Sequence, residues 1–344
     1  MLTEAAGAGQ VKTSSGTAAS TRRMTKAKLR SQTDRGFGEK VLGLSICEEA
    51  SVQTTTWKDY SKRPRLFWDW CRTSKLRTES TTDLESALLE YFDSLYLDGA
   101  DAPDGSKLLA AIAALSPHLG LGKLEMPRVS RALKGWRRLS PGGTRWPLPQ
   151  LLVAAVAGEM ISRGLKYLAL FVLTLFSTYA RPGEVRALRC VDVIAPRGPY
   201  KFATLLLGPE ELRKPTKAGQ FDDAIPLNDV EMSWLGGLVV DLAVQRSRAL
   251  GGEAPLWPFE AAASVKEFNL SCTRLALDYA SPCLYALRHG GASHDIYMDK
   301  RLPKEVQRRG RWLVASSMRR YEKHGRIQQV QSRAPLLRWS LVGG

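Results

Sequence analysis

Gly310-Arg311-Trp312-Leu313-Val314-Ala315-Ser316-Ser317-Met318-Arg319-Arg320-Tyr321 sets an indole nine residues ahead of a phenol. The surroundings are strongly basic. From Arg288 to Arg326 there are eleven Lys or Arg and four Asp or Glu, a net charge of +7 over 39 residues. Taken singly, Trp312 reads equally as a core anchor and Tyr321 as a surface phenol. Their meaning comes from what lies upstream.

Three further segments precede them in a fixed order. Tyr285-Ala286-Leu287-Arg288-His289-Gly290-Gly291-Ala292-Ser293 carries Arg288 into a helix, with small residues behind it that permit close packing. Before that, residues 201–207 and 223–227 read as two short strands of a small antiparallel sheet. The polar turn between them contains Pro215, Lys217 and Gly219, with Lys214 close by. A lysine at such a tip can swing into a cleft and protonate a leaving alkoxide. Earliest is Tyr179-Ala180-Arg181-Pro182-Gly183-Glu184-Val185-Arg186-Ala187-Leu188. Here a Pro-Gly-Glu helix start holds Arg181, whose planar fork suits a phosphate. Glu184 would pin a neighbouring backbone amide or favour the helix N-terminus.

The order and spacing of these signals resemble the tyrosine recombinase (phage integrase) family. Its pattern is an arginine in A-R-x-G-E, a hairpin lysine, H-x-x-R, then His or Trp, then Tyr. The resemblance covers residues 148–326 and extends loosely to the helical segment before them. It implies catalytic roles for Arg181, Lys217, Tyr285, Arg288, Trp312 and Tyr321, with Glu184 and His289 as helpers. Arg181 and Arg288 would bind the non-bridging phosphate oxygens. Tyr321 would attack phosphorus, giving a 3′-phosphotyrosine and a free 5′-hydroxyl, and Lys217 would protonate the departing oxygen. Trp312 would donate its indole N–H. The covalent intermediate conserves the phosphodiester energy, so neither ATP, cofactor nor metal is implied. One position departs from the pattern: Tyr285 stands where the family has the histidine of H-x-x-R, and a phenol is a poor base near neutral pH.

Outward from these motifs, the 344 residues suggest two domains and a tail. Residues 1–53 read as a disordered basic tail, where Arg22, Arg23, Lys26, Lys28 and Arg30 form a basic run. That run reads as a DNA-contacting arm, an import or transit signal, or an idle solvated segment. Residues 54–139 read as four helices, a DNA-binding (core-binding) domain. Pro64 is expected to break or kink the first, a Thr82/Glu85 capping box to start the second, and Ser106 to start the third. Residues 140–149, with three prolines and two glycines, form a linker. Residues 150–330 form a mainly helical catalytic domain interrupted by the small sheet. Residues 331–344 form a tail whose Leu336, Leu337, Trp339 and Leu341 would dock on a neighbouring protomer or on their own domain. The fold class is therefore mainly α with a small antiparallel β-sheet.

Composition narrows the function. A net charge of +16 points to a polyanion, and double-stranded DNA is the partner that the resemblance implies. The resemblance also implies a homotetramer assembled on two DNA sites. Five scattered cysteines without a C-x-x-C pair argue against a disulfide framework or a zinc site. No apolar run reaches membrane-spanning length; the closest, residues 165–176, contains Lys166. No signal peptide is evident, so an intracellular setting is expected, nuclear or bacterial cytoplasmic. Two alternatives share these features: a recombinase-derived DNA-binding protein that has lost cleavage, and a type IB-like topoisomerase.

Overall fold

The computed structural model describes residues 46–49, 51–52, 54–115, 126–142, 145–212, 215–217, 219–322 and 324–334. The basic run at Arg22–Arg30, Lys214 and the apolar tail residues lie outside them. The chain divides into two compact units, Met1–Gly143 and Thr144–Gly344.

The first unit holds α1 (Thr54–Thr73), α2 (Thr81–Leu97), α3 (Ala102–Leu115) and α4 (Pro127–Leu139). They enclose a core that includes Phe67, Leu88, Phe92, Leu108, Ile112, Val129 and Trp136. Three expectations are corrected here. Pro64 does not break α1, which runs through it with the proline buried. Phe67 and Cys71, packed in the core one and two turns later, hold the helix across the missing hydrogen bond. The capping box of α2 is Ser80/Asp83 and not Thr82/Glu85: Asp83 N–H donates to Ser80 Oγ at 3.1 Å and Ser80 N–H to Asp83 Oδ2 at 3.3 Å. Glu85 turns away and caps another helix, accepting from Arg128 N–H at 2.8 Å at the start of α4. The third helix begins at Ala102, a turn before Ser106.

The second unit places α5 (Gln150–Ser162) and α6 (Lys166–Thr178) at its centre. After the short α7 (Pro182–Arg186) come β1 (Val193–Ile194), β2 (Thr204–Leu207) and β3 (Asp223–Pro226) in an antiparallel sheet of order β1-β2-β3. Leu205 pairs with Val193 on one side and Ile225 on the other. Leu205, Leu207 and Ile225 face the core. The hairpin is as expected in kind; the two-residue β1 had no sequence signal. Then follow α8 (Leu235–Leu250), α9 (Ala261–Arg274), α10 (Leu284–Tyr297), α11 (Pro303–Gly310), a 3-10 turn (Ala315–Arg320) and α12 (His324–Arg333).

The contact that sets up the site is α10 on α6. A Cβ at Gly291 would overlap the carbonyl oxygen of Phe176, and one at Gly290 the carbonyl of Leu148. Gly291 therefore lets the backbone of α10 rest on α6, and Gly290 lets it rest on the segment before α5, which carries Arg288 to the C-terminal end of α6. Among the described residues, no helix is long and apolar enough to cross a membrane.

Candidate active site

Arg288 is only 1% exposed although it is the most polar of the large buried side chains. Its Nη1 donates to the Tyr179 carbonyl and its Nη2 to the Gly310 carbonyl. These carbonyls lie at the C-terminal ends of α6 and α11, where helix geometry leaves acceptors without intrahelical partners. Both helix ends are turned by a residue in the left-handed region: Tyr179 at φ 50° and Arg311 at φ 56°. Burial pulls the Arg288 pKa below the ordinary guanidinium value, against the pull of the neighbouring Tyr321 and Tyr285.

The aromatic residues stack beneath this guanidinium. It lies 4.6 Å above the Trp312 ring. Trp312 and Tyr321 stack at 4.1 Å and 36°, and His289 lies against Tyr321 at 4.8 Å and 31°. Tyr285 follows at 5.7 Å from His289, with the Arg145 guanidinium 4.6 Å over its ring. Gly310 is bare where a Cβ would strike the Trp312 indole, so the ring folds back on its own helix end. The nine-residue gap spans the 3-10 turn, whose Met318 carbonyl accepts the Tyr321 N–H at 2.7 Å. Tyr321 is 4% exposed. Burial pushes its phenol above the ordinary value, while Arg288 and the Trp312 N–H draw it down. The phenol is therefore neutral near neutral pH.

Arg181 is fixed from below. It is the N-cap of α7, with Pro182 at the first helical position. Glu184 accepts its backbone N–H at 3.1 Å and its Nη1 at 2.6 Å, which is the pinned amide expected from the sequence. Burial works against the charge on Arg181, but Glu184, then Tyr285, hold its pKa above the ordinary guanidinium value. Burial likewise opposes ionisation of Glu184, yet Arg311 and Arg181 hold its carboxyl below the usual carboxylate range.

The structure thus brings together Arg181, Glu184, Tyr285, Arg288, His289, Trp312 and Tyr321. Lys217 stands apart in bonding. It is exposed on the turn closed by Thr216 N–H to the Gln220 carbonyl at 2.8 Å, and no hydrogen bond or ion pair among the described residues joins it to the cluster. The basic stretch is only partly a solvated face. Arg288 and Arg311 are buried, and Arg301 and Arg309 are half-buried, bonded to Asp295, Asn228 and the Ser177 carbonyl. Sequence reasoning missed Arg145, Arg311 and Asp223 at the site, and missed Asp295, which accepts from the Tyr179 hydroxyl and anchors α10 to the end of α6. No group of three or more His, Cys, Asp or Glu among the described residues is placed to hold a metal ion.

No protein-family model matches the chain, and no curated protein is similar to it in sequence. Solved structures are similar to it in fold. The chain is similar to the XerH site-specific recombinase bound to palindromic difH substrate, with a TM-score of 0.56 and 13% identity over 83% of this chain and 81% of that one. It is similar to the Tn1549 transposon integrase in complex with transposon right end DNA, at 0.55 and 13% over 80% and 91%. It is also similar to a lambda integrase dimer bound to a COC′ core site, at 0.52 and 14% over 80% and 91%. The neighbours are tyrosine recombinases and integrases, and the chain has their fold: mainly helical, with a small three-stranded antiparallel sheet.

Proposed function

We propose that the protein is a site-specific DNA strand transferase that cuts and rejoins double-stranded DNA through a 3′-phosphotyrosine. The observation that carries this reading is the convergence of Tyr321, Arg288, Arg181 and Trp312, from separate segments, on one buried cluster. That set matches the needs of phosphodiester displacement: a nucleophile, two fixed cations for the oxygens that gather charge, and a neutral donor. The DNA complexes of the structurally similar recombinases support DNA as the partner.

The reaction balances without a cofactor. Tyr321 Oη forms a bond to phosphorus while the bond from phosphorus to the 5′ oxygen breaks. The phenol proton passes to a base, a role we assign to His289, whose ring stacks on that of Tyr321. Lys217 supplies a proton to the 5′ oxygen once the hairpin tip meets DNA. A free 5′-hydroxyl then reverses the steps on the same or a partner strand. Two duplexes present four strands and each protomer holds one Tyr321, so full exchange calls for a homotetramer on two sites. The first unit, with its basic helices, would grip the flanking duplex as a core-binding domain.

A second reading has its own observation. Tyr285 replaces a better base, and both Arg288 amino groups already donate to backbone carbonyls. This favours a recombinase-derived DNA-binding protein without cleavage. Trapping on nicked suicide substrates drawn from the DNA flanking the gene separates the two. The expected result is a denaturation-resistant protein–DNA adduct that is absent in Tyr321→Phe. Salt-sensitive binding with no adduct, restored by Tyr285→His, would support the second reading and overturn the first.

A further inference from the structure

Arg311 has no role in the mechanism above, yet the structure commits it heavily. It ends α11 in the left-handed region at φ 56° and ψ 44°, a conformation that glycine adopts without steric cost and that strains a residue bearing a Cβ. Its side chain is buried, 8% exposed for the whole residue. Its Nη1 and Nε have no hydrogen-bond partner among the described residues, so its contact with Asp223 is an ion pair without a hydrogen bond. If Arg311 served only to end the helix, glycine would do so more favourably. What remains to offset the strain and the burial is its pair of carboxylates. Nη2 donates to Glu184 Oε2 at 2.5 Å, and Nε lies 3.4 Å from Asp223 Oδ2.

Those two carboxylates belong to the site's other parts. Glu184 uses its remaining oxygen to hold the Arg181 guanidinium at 2.6 Å. Asp223 opens β3, the strand that returns from the turn bearing Lys217. Arg311 itself immediately precedes Trp312. One guanidinium therefore connects three elements, each carrying a residue of the proposed reaction. We infer that Arg311 is a positioning residue: it bridges Glu184 and Asp223, and thereby fixes Arg181 and the β2–β3 hairpin in register with Trp312 and Tyr321. The inference deepens the strand-transfer reading and rests on it for its catalytic consequence.

Electrostatics agrees with the geometry. Burial, and then Glu184, push the Asp223 carboxyl above its ordinary value, while Arg311 draws it down. Without Arg311, two neighbouring carboxylates compete for Arg181 alone. Arg181 is then drawn between them, or one of them takes up a proton.

The test uses the full chain carrying Arg311→Gly, which keeps the left-handed cap, and Arg311→Lys, which keeps the charge without the fork. Two readouts are paired. The first is the side-chain Nε–H signal of Arg181 in nitrogen-15 spectra. The second is the rate of adduct formation on suicide DNA across pH. We expect Arg311→Gly to fold, to shift or broaden the Arg181 signal, and to cut the cleavage rate at saturating DNA by about 10- to 100-fold with DNA affinity unchanged. Its acid limb should move to higher pH, because Glu184 loses a cation that holds its carboxyl low. Adding Asp223→Asn should recover part of the rate, and Arg311→Lys should fall between. An Arg181 signal unchanged in Arg311→Gly overturns the inference whether or not the wild type cleaves. So does wild-type cleavage with an unmoved acid limb. A changed Arg181 signal in a protein whose wild type forms no adduct keeps the positioning role and rejects the strand-transfer reading.

Discussion

Replacing Gly291 with alanine tests how the site is assembled. The Cβ would overlap the Phe176 carbonyl, so α10 must move off α6 or the chain must strain to hold it. Overpacking of this kind costs about 1–3 kcal/mol. If the helices part, the charge-assisted bond from Arg288 to the Tyr179 carbonyl is lost as well, worth a further ~1.5–3 kcal/mol. The total of roughly 2.5–6 kcal/mol is a large share of the ~5–15 kcal/mol that holds a domain folded. Gly158 supplies the internal control. It lies in α5, exposed, with nothing within 4 Å of the position a Cβ would take. Alanine there should stabilise by about 0.5–1 kcal/mol, because a helix interior favours it over glycine. The same chemical change thus has opposite signs 133 positions apart in one unit. Urea unfolding followed by circular dichroism reads the difference, at a slope of about 1–3 kcal/mol per molar. A Gly291→Ala midpoint equal to that of the wild type would refute the argument that α10 rests on the Phe176 carbonyl.

Two other perturbations separate structure from chemistry. Arg189 binds Asp192, Glu211 and Glu253, but only Asp192 is buried, at 2% exposure, against 61% and 77% for the other two side chains. Arg189→Ala should therefore destabilise by about 3–5 kcal/mol through the stranded Asp192, and adding Asp192→Asn should recover most of it in thermal melts. Equal melting of the single and double variants would show that the exposed glutamates matter instead. Lys217→Ala should slow adduct formation about 10²- to 10⁴-fold on ordinary DNA. On DNA with sulfur at the 5′ bridging position it should cost little, because a thiolate leaves without a proton; equal loss on both substrates would remove Lys217 from that role.

The sequence displayed the parts of the site that are local. Arg181 and Glu184 lie three residues apart, and a capping pattern is a short-range signal that survives in any fold. Arg288 with Gly290 and Gly291 is equally local, since the bare positions follow the arginine on the same helix. What could not be read are the partners brought from afar: Glu184 to Arg311 spans 127 positions and Tyr179 to Asp295 spans 116. Composition obscured them further. In the run Arg308-Arg309-Gly310-Arg311 every arginine looks like a solvated cation suited to phosphate, yet Arg309 and Arg311 are spent inside the protein. Periodicity failed where packing outweighs propensity. Pro64 is a breaker by type, but core contacts a turn later carry α1 through it. β1, two residues long, lies below the length at which alternation carries information.

The arginine pair shows why the buried cluster suits an anion. Arg288 forms no ion pair among the described residues; two backbone carbonyls at helix C-termini take its donors. Each such terminus carries the equivalent of roughly half a negative charge, which makes burial of a guanidinium tolerable without a carboxylate to neutralise it. Arg181 and Arg311 share Glu184, with Asp223 beside Arg311. Even with both carboxylates ionised, three guanidiniums face two acids, so one positive charge is left over inside a water-poor site. A carboxylate on Arg288 would have stabilised the free protein and cancelled that surplus. The dipoles do the first without the second, because they orient the fork yet add no net charge. In the proposed reaction a phosphodiester would bring a single negative charge to this surplus, and the displacement would concentrate that charge on the non-bridging oxygens that Arg288 and Arg181 are proposed to bind. Replacing Tyr179 with a residue that cannot sustain the left-handed end of α6 would therefore loosen the fork without changing the charge. The left-handed turn at Tyr179 thus aims a carbonyl at a cation that has no carboxylate of its own.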